Sequence, residues 1–340
     1  MAVTGVLRPG FVQLRVLDLG ESIIHYRDRI GLDMVGEAVD GRAFFHAFDE
    51  FDRHSVILRE ADSAGIDVMG FKVAQDSDLD HFARRLQAMG VETSEIPAGE
   101  MPGVGRRIRF TTPTAHVFDL YAQMDLSEDG PPVRNPDVWR RDPRGMRVER
   151  FDHCALSGVD IAATARIFRE ALDFALTEEL VDEGSGARLA IFLSCSNKAH
   201  DIAFLAYSED GRLHHASFNL ESWHDVGHAA DILTRYDMSV DIGPTRHGIT
   251  RGQTIYFFDP SGNRNETFSG GYHFYPDNPV RRWDGSQAGK AVFFGGMSDH
   301  LKVPVFDYRA SGEYPRQEAT IAKKFSSETF TDSALRFLKD

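Results

Sequence analysis

Cysteine is scarce in this chain, and the long apolar runs of membrane proteins are absent from its sequence. The two cysteines, Cys154 and Cys195, provide neither a disulfide framework nor the spacing of a zinc site. No apolar run approaches the roughly 20 residues that a membrane helix needs. The first ten residues contain no basic segment followed by an apolar core, so no signal peptide is expected. The sequence therefore predicts a cytoplasmic protein that does not bind a membrane.

Basic residues are fewer than acidic residues in this sequence. The 340 residues include 38 lysines and arginines against 52 aspartates and glutamates, a formal net charge of −14. This balance argues against nucleic acid as a partner, because the phosphate backbone attracts basic surfaces. A hydrophobic share of 42% is normal for a globular protein, and the length suffices for two domains.

The sequence contains one internal repeat. Segments that start at Phe11 and at Phe151 each indicate a strand, an amphipathic helix and a turn into a second strand, and residues 97–119 align without a gap with 244–266 at an offset of 147. The pattern predicts an α+β unit used twice, as two tandem domains. Residues 127–146, rich in proline and charge, are the predicted linker. The predicted divisions are an N-terminal domain (1–145), a C-terminal catalytic domain (146–295) and a C-terminal tail (296–340).

Histidine is concentrated in the second half, which holds nine of the fourteen. Three potential metal ligands there, His153, His215 and Glu266, each lie in a predicted strand at an equivalent place of the repeat. Two imidazoles and one carboxylate form the facial set used for non-haem Fe(II), which leaves three positions open for a bidentate diol and O2. The counterparts in the first half are Gln13, Val68 and Asp119. A metal site is therefore expected in the second half alone.

The adjacent pair His214 and His215 offers two possible ligands. Neighbouring side chains of a strand point to opposite faces. His215 begins H-A-S-F as His153 begins H-C-A-L, so the same strand phase selects His215 as the ligand. His214 is then expected to point away from the site.

The run from Thr245 to Glu266, TRHGITRGQTIYFFDPSGNRNE, resembles the signature of the class I extradiol dioxygenases. That signature has a histidine, an apolar residue before a tyrosine, Asp-Pro-x-Gly and a closing glutamate. Its positions are filled here by His247, Ile255-Tyr256, Asp259-Pro260, Gly262 and Glu266. Further segments are similar to the catechol 2,3-dioxygenases, over residues 7 to about 295: RPGFVQLRVLD, FDHCAL, KAHDIAF, GRLHHASF and DIGPTRHG.

The resemblance implies duplicated βαβββ modules of the vicinal oxygen chelate superfamily, with the metal in the C-terminal domain. It implies Fe(II) held by His153, His215 and Glu266. It also implies three catalytic groups, the last two of which bind substrate as well: His200, His247 and Tyr256. The implied reaction opens catechol, or a simple alkyl- or halocatechol, with O2 to 2-hydroxymuconate semialdehyde during aromatic catabolism. A homotetramer is expected from the same resemblance.

Two alternatives stay open at this point. The substrate could be a biphenyl or bicyclic diol. The shape of the pocket decides which diol binds, and the residues of the pocket cannot be placed from the sequence. A metal-free small-molecule-binding module of the same fold is the other alternative, although such a module has no need of a complete ligand set. The ligand set also accepts manganese as well as iron.

Overall fold

Four modules, each of one strand, one helical segment and three strands, follow one another along the chain. The computed structural model describes residues 5–37, 40–135 and 143–292, and the predicted tail, residues 296–340, lies outside these ranges. The α+β class and the duplicated βαβββ modules expected from the sequence are confirmed. The domain boundaries stay a prediction. Every helix in the described ranges is too short or too polar to cross a membrane.

The first half contains two modules. The first module comprises β1 (Val6–Val16), α1 (Leu19–Ile24) with a π-helical continuation (His25–Ile30), β2 (Asp33–Glu37), β3 (Arg42–His46) and β4 (Val56–Glu60). The second comprises β5 (Gly65–Val73), α2 (Asp76–Ala88), β6 (Thr93–Ile96), β7 (Arg107–Thr111) and β8 (Val117–Tyr121).

The second half repeats this order and adds a short extension. The third module comprises β9 (Arg150–Gly158), α3 (Ile161–Ala171), β10 (Ala175–Val181), β11 (Arg188–Ser194) and β12 (Ile202–Ala206). The fourth comprises β13 (Arg212–Asn219), α4 (Trp223–Arg235), β14 (Val240–Arg246), β15 (Gly252–Phe258) and β16 (Arg264–Gly270). The extension comprises β17 (Arg281–Asp284), a 3-10 turn (Gly285–Gln287) and α5 (Ala288–Val292).

Each half forms one sheet in which its two modules join through their first strands. The strand order is β2-β3-β4-β1-β5-β8-β7-β6 in the first half, where β1 and β5 are antiparallel. In the second half it is β14-β15-β16-β13-β9-β12-β11-β10-β17, where β9 and β13 are antiparallel. Strands β16, β13 and β9 therefore lie side by side, which lets side chains on one face of the sheet converge.

Helix α3 attaches the second half to the first. The side chain of Asp160 caps the helix by accepting a hydrogen bond from the backbone N–H of Ala163 at 2.9 Å. On the apolar side of the helix, the ring of Phe168 packs against Phe71 and Phe118 of the first half, with ring centroids 6.0 and 5.0 Å apart. One hydrophobic core therefore continues through both halves.

The π-helical turn after α1 makes a second, polar attachment between the halves. The hydroxyl of Tyr26 donates to Oδ2 of Asp259 at 3.0 Å, and Nε2 of His25 lies 2.9 Å from Oδ1 of Asn265. All four side chains are fully buried. Asp259 begins the turn between β15 and β16, so this contact holds two strands of the second sheet against the first half.

Replacing Tyr26 by Phe is expected to lower the free energy of unfolding by about 1.5–3 kcal/mol, because the buried Asp259 carboxylate loses a donor. Urea unfolding measures this change. The matched control is Tyr275→Phe, at a tyrosine that is 59% exposed, which should stay within about 0.5 kcal/mol of the wild type. Equal stability of the Tyr26→Phe variant and the wild type would contradict the proposed role of this bond.

Candidate metal centre and active site

All six side chains predicted for the site line one cavity of about 450 Å³ in the second half. They are His153, His200, His215, His247, Tyr256 and Glu266. The rest of the wall is largely apolar and includes Ala155, Leu180, Ala190, Phe192, Ala203 and Ile249. An apolar pocket with a few convergent polar groups is the usual form of a small-molecule site.

Three adjacent strands bring the candidate metal ligands together: His153 lies on β9, His215 on β13 and Glu266 on β16. The two Nε2 atoms are 3.4 Å apart, and each lies 3.3 Å from Oε2 of Glu266. Two ligand atoms about 2.1 Å from one ion, and at right angles, are about 3.0 Å apart. The donor atoms are thus spaced to fit one divalent ion. Within the described ranges, no other group of potential ligands converges in this way.

Two hydroxyl groups and one carboxylate hold these side chains. Ser217 Oγ donates to Oε2 of Glu266, and Thr254 Oγ1 donates to Oε1, both at 2.6 Å. Oδ2 of Asp152 lies 2.9 Å from Nδ1 of His153. A carboxylate on one ring nitrogen fixes the orientation of a histidine and leaves the other nitrogen for a metal.

Strand β13 departs from the strict alternation assumed in the sequence analysis. Its pairing with β9 shifts between Leu213 and His215, so His214 is the additional residue of a β-bulge. The prediction that His214 points away from the site is wrong. Its Nδ1 lies 2.6 Å from Nδ1 of His215, and its side chain lines the same cavity. The bulge puts a second imidazole beside the candidate ligand.

The three predicted catalytic groups surround the candidate ligands. Nε2 of His247 lies 2.7 Å from the hydroxyl of Tyr256 and 3.6 Å from Oε1 of Glu266. The ring centroid of His200 is 4.0 Å from that of His153. A small molecule placed beside the candidate ligands is therefore within reach of all three groups.

Burial and neighbouring charges set the protonation states in the cavity. Burial alone would raise the pKa of Glu266, but His215, with His153 and His247, outweighs it and holds this pKa well below its usual value. Burial lowers the pKa of His215 to about 4. An ionised carboxylate and a neutral imidazole are the forms in which these side chains bind metals. Burial opposes protonation of His153 too, but its bonds to Asp152 and Glu266 raise its pKa.

Two further pKa shifts concern the catalytic groups His200 and Tyr256. Burial, with the charge at His153 as a second cause, lowers the pKa of His200 well below 6.5, so that its ring is neutral. Burial, together with the Glu266 carboxylate, raises the pKa of Tyr256 well above 10, so that its hydroxyl keeps its proton. The guanidinium of Arg264 covers the Tyr256 ring, with Cζ 4.2 Å from the ring centroid. The cavity thus offers a neutral base and a hydroxyl donor.

Asp119, the counterpart of Glu266 in the first half, forms ion pairs with two arginines. Asp119 is fully buried, and its Oδ1 lies 2.7 Å from Nε of Arg109. Its Oδ2 lies 2.9 Å from Nη2 of the same arginine and 3.2 Å from Nε of Arg107. Two guanidinium groups therefore occupy the place where a cation would have to bind this carboxylate.

The other two counterparts in the first half offer no ligand set. Gln13 donates to Asp67 at 2.8 Å, and Val68 belongs to an apolar cluster. A cavity of about 920 Å³ lies here, larger than the one in the second half, and both residues line it. The larger cavity is thus not the one that holds the convergent ligands.

Two family models match the chain. The model described as "Catechol 2,3-dioxygenase-like N-terminal domain" matches residues 66–125, and that of the "Glyoxalase/Bleomycin resistance protein/Dioxygenase superfamily" matches residues 150–267. A metapyrocatechase from Pseudomonas sp. (strain CF600) is 50% identical over 291 residues, which cover 85% of this chain and 94% of the relative. The chain belongs to the extradiol dioxygenase family.

A solved structure shares the fold of this extradiol dioxygenase. The 2,3-dioxygenase LapB from Pseudomonas sp. KL28 superposes with a TM-score of 0.82 at 48% sequence identity, over 84% of this chain and 100% of that one. More distant relatives carry different metals in their names. A manganese-dependent 2,3-dihydroxybiphenyl 1,2-dioxygenase from Geobacillus genomosp. 3 is 28% identical over 84% of this chain and 93% of its own. An iron-dependent extradiol dioxygenase from Rhodococcus jostii (strain RHA1) is 24% identical over 67% and 77%.

Several residues that support the site of this dioxygenase were not identified from the sequence. Ser217 and Thr254 are strand hydroxyls whose bonds to Glu266 join neighbouring strands, and no local pattern marks them. Asp152, which contacts His153, and Lys198, whose Nζ lies 3.0 Å from Oδ1 of Asp152, lie inside the segments FDHCAL and KAHDIAF. Adjacency to the predicted site histidines of these segments was the one signal that could have pointed to them.

Proposed function

We propose that this extradiol dioxygenase is a catechol 2,3-dioxygenase that opens catechol, or a simple alkylcatechol, with O2. The observation that carries the proposal is the convergence of His153, His215 and Glu266 in a cavity with a largely apolar wall. The 50% identity to a metapyrocatechase supports the substrate class. A volume of about 450 Å³ is large enough for an aromatic diol.

The ion proposed for this site is Fe(II), held by His153, His215 and Glu266. Two imidazoles and one carboxylate fit Fe(II), and Mn(II) accepts the same set. When bound, the ion would supply a Lewis acid for the diol oxygens and a path for electrons to O2. The homotetramer and the cytoplasmic location expected from the sequence stay predictions.

Tyr256 and His247 are neighbouring polar groups in the wall of the cavity. They lie within hydrogen-bonding distance of each other. When substrate binds, each can give up this hydrogen bond and form one with a hydroxyl oxygen of the diol. Burial keeps the Tyr256 hydroxyl protonated, so it can donate to that oxygen. A donor already in place stabilises negative charge that develops on the oxygen as the ring opens.

His200 is the proposed acid–base group. Its neutral ring can accept the proton that the diol loses on binding and return it to an oxygen later in the reaction. The ring of Phe192 packs edge-on against this buried imidazole, with the ring centroids 5.3 Å apart. Both atoms of O2 end in 2-hydroxymuconate semialdehyde, formed by cleavage between a hydroxylated carbon and its unhydroxylated neighbour.

Anaerobically purified, iron-loaded protein mixed with catechol and O2 is expected to give a yellow ring-cleavage product. Absorption spectroscopy and mass spectrometry identify it. Colourless muconate, which forms by cleavage between the two hydroxyls, would show that the proposed reaction is wrong. The comparison substrate is 2,3-dihydroxybiphenyl. A higher kcat/KM for it than for catechol would replace the proposed substrate class and keep the reaction type.

A further inference from the structure

Lys198 lies between two buried carboxylates beside the active-site cavity. Its Nζ is 3.0 Å from Oδ1 of Asp152 and 3.0 Å from Oδ1 of Asp201, and it donates to the backbone carbonyl of Asp152 at 2.8 Å. The two aspartates are 2% and 0% exposed. Buried charges need compensation by a partner, so one ammonium group holds both carboxylates together.

The first of these carboxylates leads to a candidate metal ligand. While Oδ1 of Asp152 faces Lys198, Oδ2 lies 2.9 Å from Nδ1 of His153. Arg150 is a more distant cation, with Nε 3.5 Å from Oδ1. The position of the Asp152 carboxylate, and with it the orientation of the His153 ring, therefore depends mainly on Lys198.

The second carboxylate leads to the proposed acid–base group. Asp201 follows His200 directly, and its Oδ2 accepts hydrogen bonds from the backbone N–H groups of Cys195 and Ser196 at 2.8 and 3.0 Å. On the other side of His200, the carbonyl of Ala199 accepts a hydrogen bond from a buried threonine hydroxyl at 2.6 Å. The loop that presents His200 is thus fixed from both sides, and Lys198 joins it to strand β9.

We propose that Lys198 is a positioning residue that sets the place of His200 relative to His153. The connection runs from His153 through Asp152, Lys198 and Asp201 to His200, whose ring is 4.0 Å from that of His153 and tilted by 56°. This inference rests on the proposed function, in which His153 binds the metal and His200 transfers protons. Carboxylate partners of ligating histidines control metal affinity, so a residue that holds such a partner should do so too.

The first half contains a matched control, Lys72, a buried-carboxylate partner that is expected to stabilise the fold only. Nζ of Lys72 lies 2.6 Å from Oδ1 of Asp52, and its side chain is 20% exposed against 27% for Lys198. Lys72 belongs to the first sheet and has no part in the cavity of the second. Replacing either lysine by Met should lower the midpoint of thermal unfolding, but only the change at Lys198 should reach the metal site.

The test is a titration of the apoprotein with Co(II), in which the absorption spectrum of the bound ion is used to measure binding. Lys198→Met should weaken Co(II) binding by about 10–100-fold and alter the spectrum. Lys198→Arg, which keeps the charge, should restore most of the affinity, and Lys72→Met should bind as the wild type does. In the iron-loaded enzyme, kcat for catechol should fall on the order of 10-fold in Lys198→Met, with a smaller change in KM.

Wild-type affinity and spectrum in folded Lys198→Met would overturn the inference, and so would an equal loss in Lys72→Met. Circular dichroism decides whether Lys198→Met is folded. If it is not, the double variant Lys198→Gln/Asp201→Asn, which removes a cation and an anion together, must show the same loss of Co(II) affinity. A wild-type protein that binds no Co(II) and leaves catechol intact would instead contradict the proposed function.

Discussion

The Glu266→Gln variant is expected to lose ring-cleavage activity by on the order of 10³-fold or more, because a metal site that contributes several kcal/mol of charge stabilisation is lost. The amide has nearly the volume of the carboxylate. Its oxygen can accept a hydrogen bond from one of the two hydroxyls of Ser217 and Thr254, and its NH2 group can donate to the other, so the fold should be retained. What the variant removes is the negative charge shared by His153 and His215. Oxygen consumption with catechol measures the loss.

The matched control for this variant is Asp119→Asn, at the same position of the repeat in the first half. Asp119 is paired with Arg107 and Arg109, so its neutralisation should lower stability and leave kcat unchanged. If Glu266→Gln keeps its activity, or if folded Asp119→Asn loses it, the assignment of the active site to the second half is wrong.

The His200→Ala variant is expected to keep its metal and to lose on the order of 10²–10⁴-fold in kcat, the range for a missing acid–base group. Its ring contacts His153 and Phe192 without being one of the three convergent ligand groups. Metal analysis and steady-state kinetics on the same preparation separate the two effects. His224→Ala, at an exposed histidine of α4, is the control. Loss of metal in proportion to activity would show that His200 is a ligand or a structural residue.

The repeat and the motif were sufficient to predict much of this molecule, because both are patterns in the order of residues along the chain. Period-two strands gave the modules, and the run from His247 to Glu266 gave the position of the candidate site. The bulge at His214 could not be predicted, because it depends on how β13 pairs with β9. These strands are distant in the sequence: His215 and His153, which are in contact, are separated by 62 residues. The packing of Phe168 on the first half escaped prediction for the same reason.

The two halves show how one position of a repeat can serve opposite purposes. The offset of 147 that aligns Glu266 with Asp119 also aligns Thr254 with Arg107. Thr254 donates a neutral hydrogen bond to Glu266, which keeps the negative charge available for a cation. Arg107 brings its own positive charge to Asp119. The charge of the supporting side chain therefore decides whether the carboxylate at this position stays available to a cation.

The most direct test of a single metal site in the second half is the number of tightly bound metal ions per chain. Apoprotein titrated anaerobically with Fe(II) should bind about one ion in the wild type, none in Glu266→Gln and about one in Asp119→Asn, because only the second half brings two imidazoles and a carboxylate together. Two tightly bound ions in the wild type, or an undiminished ion in Glu266→Gln, would contradict it.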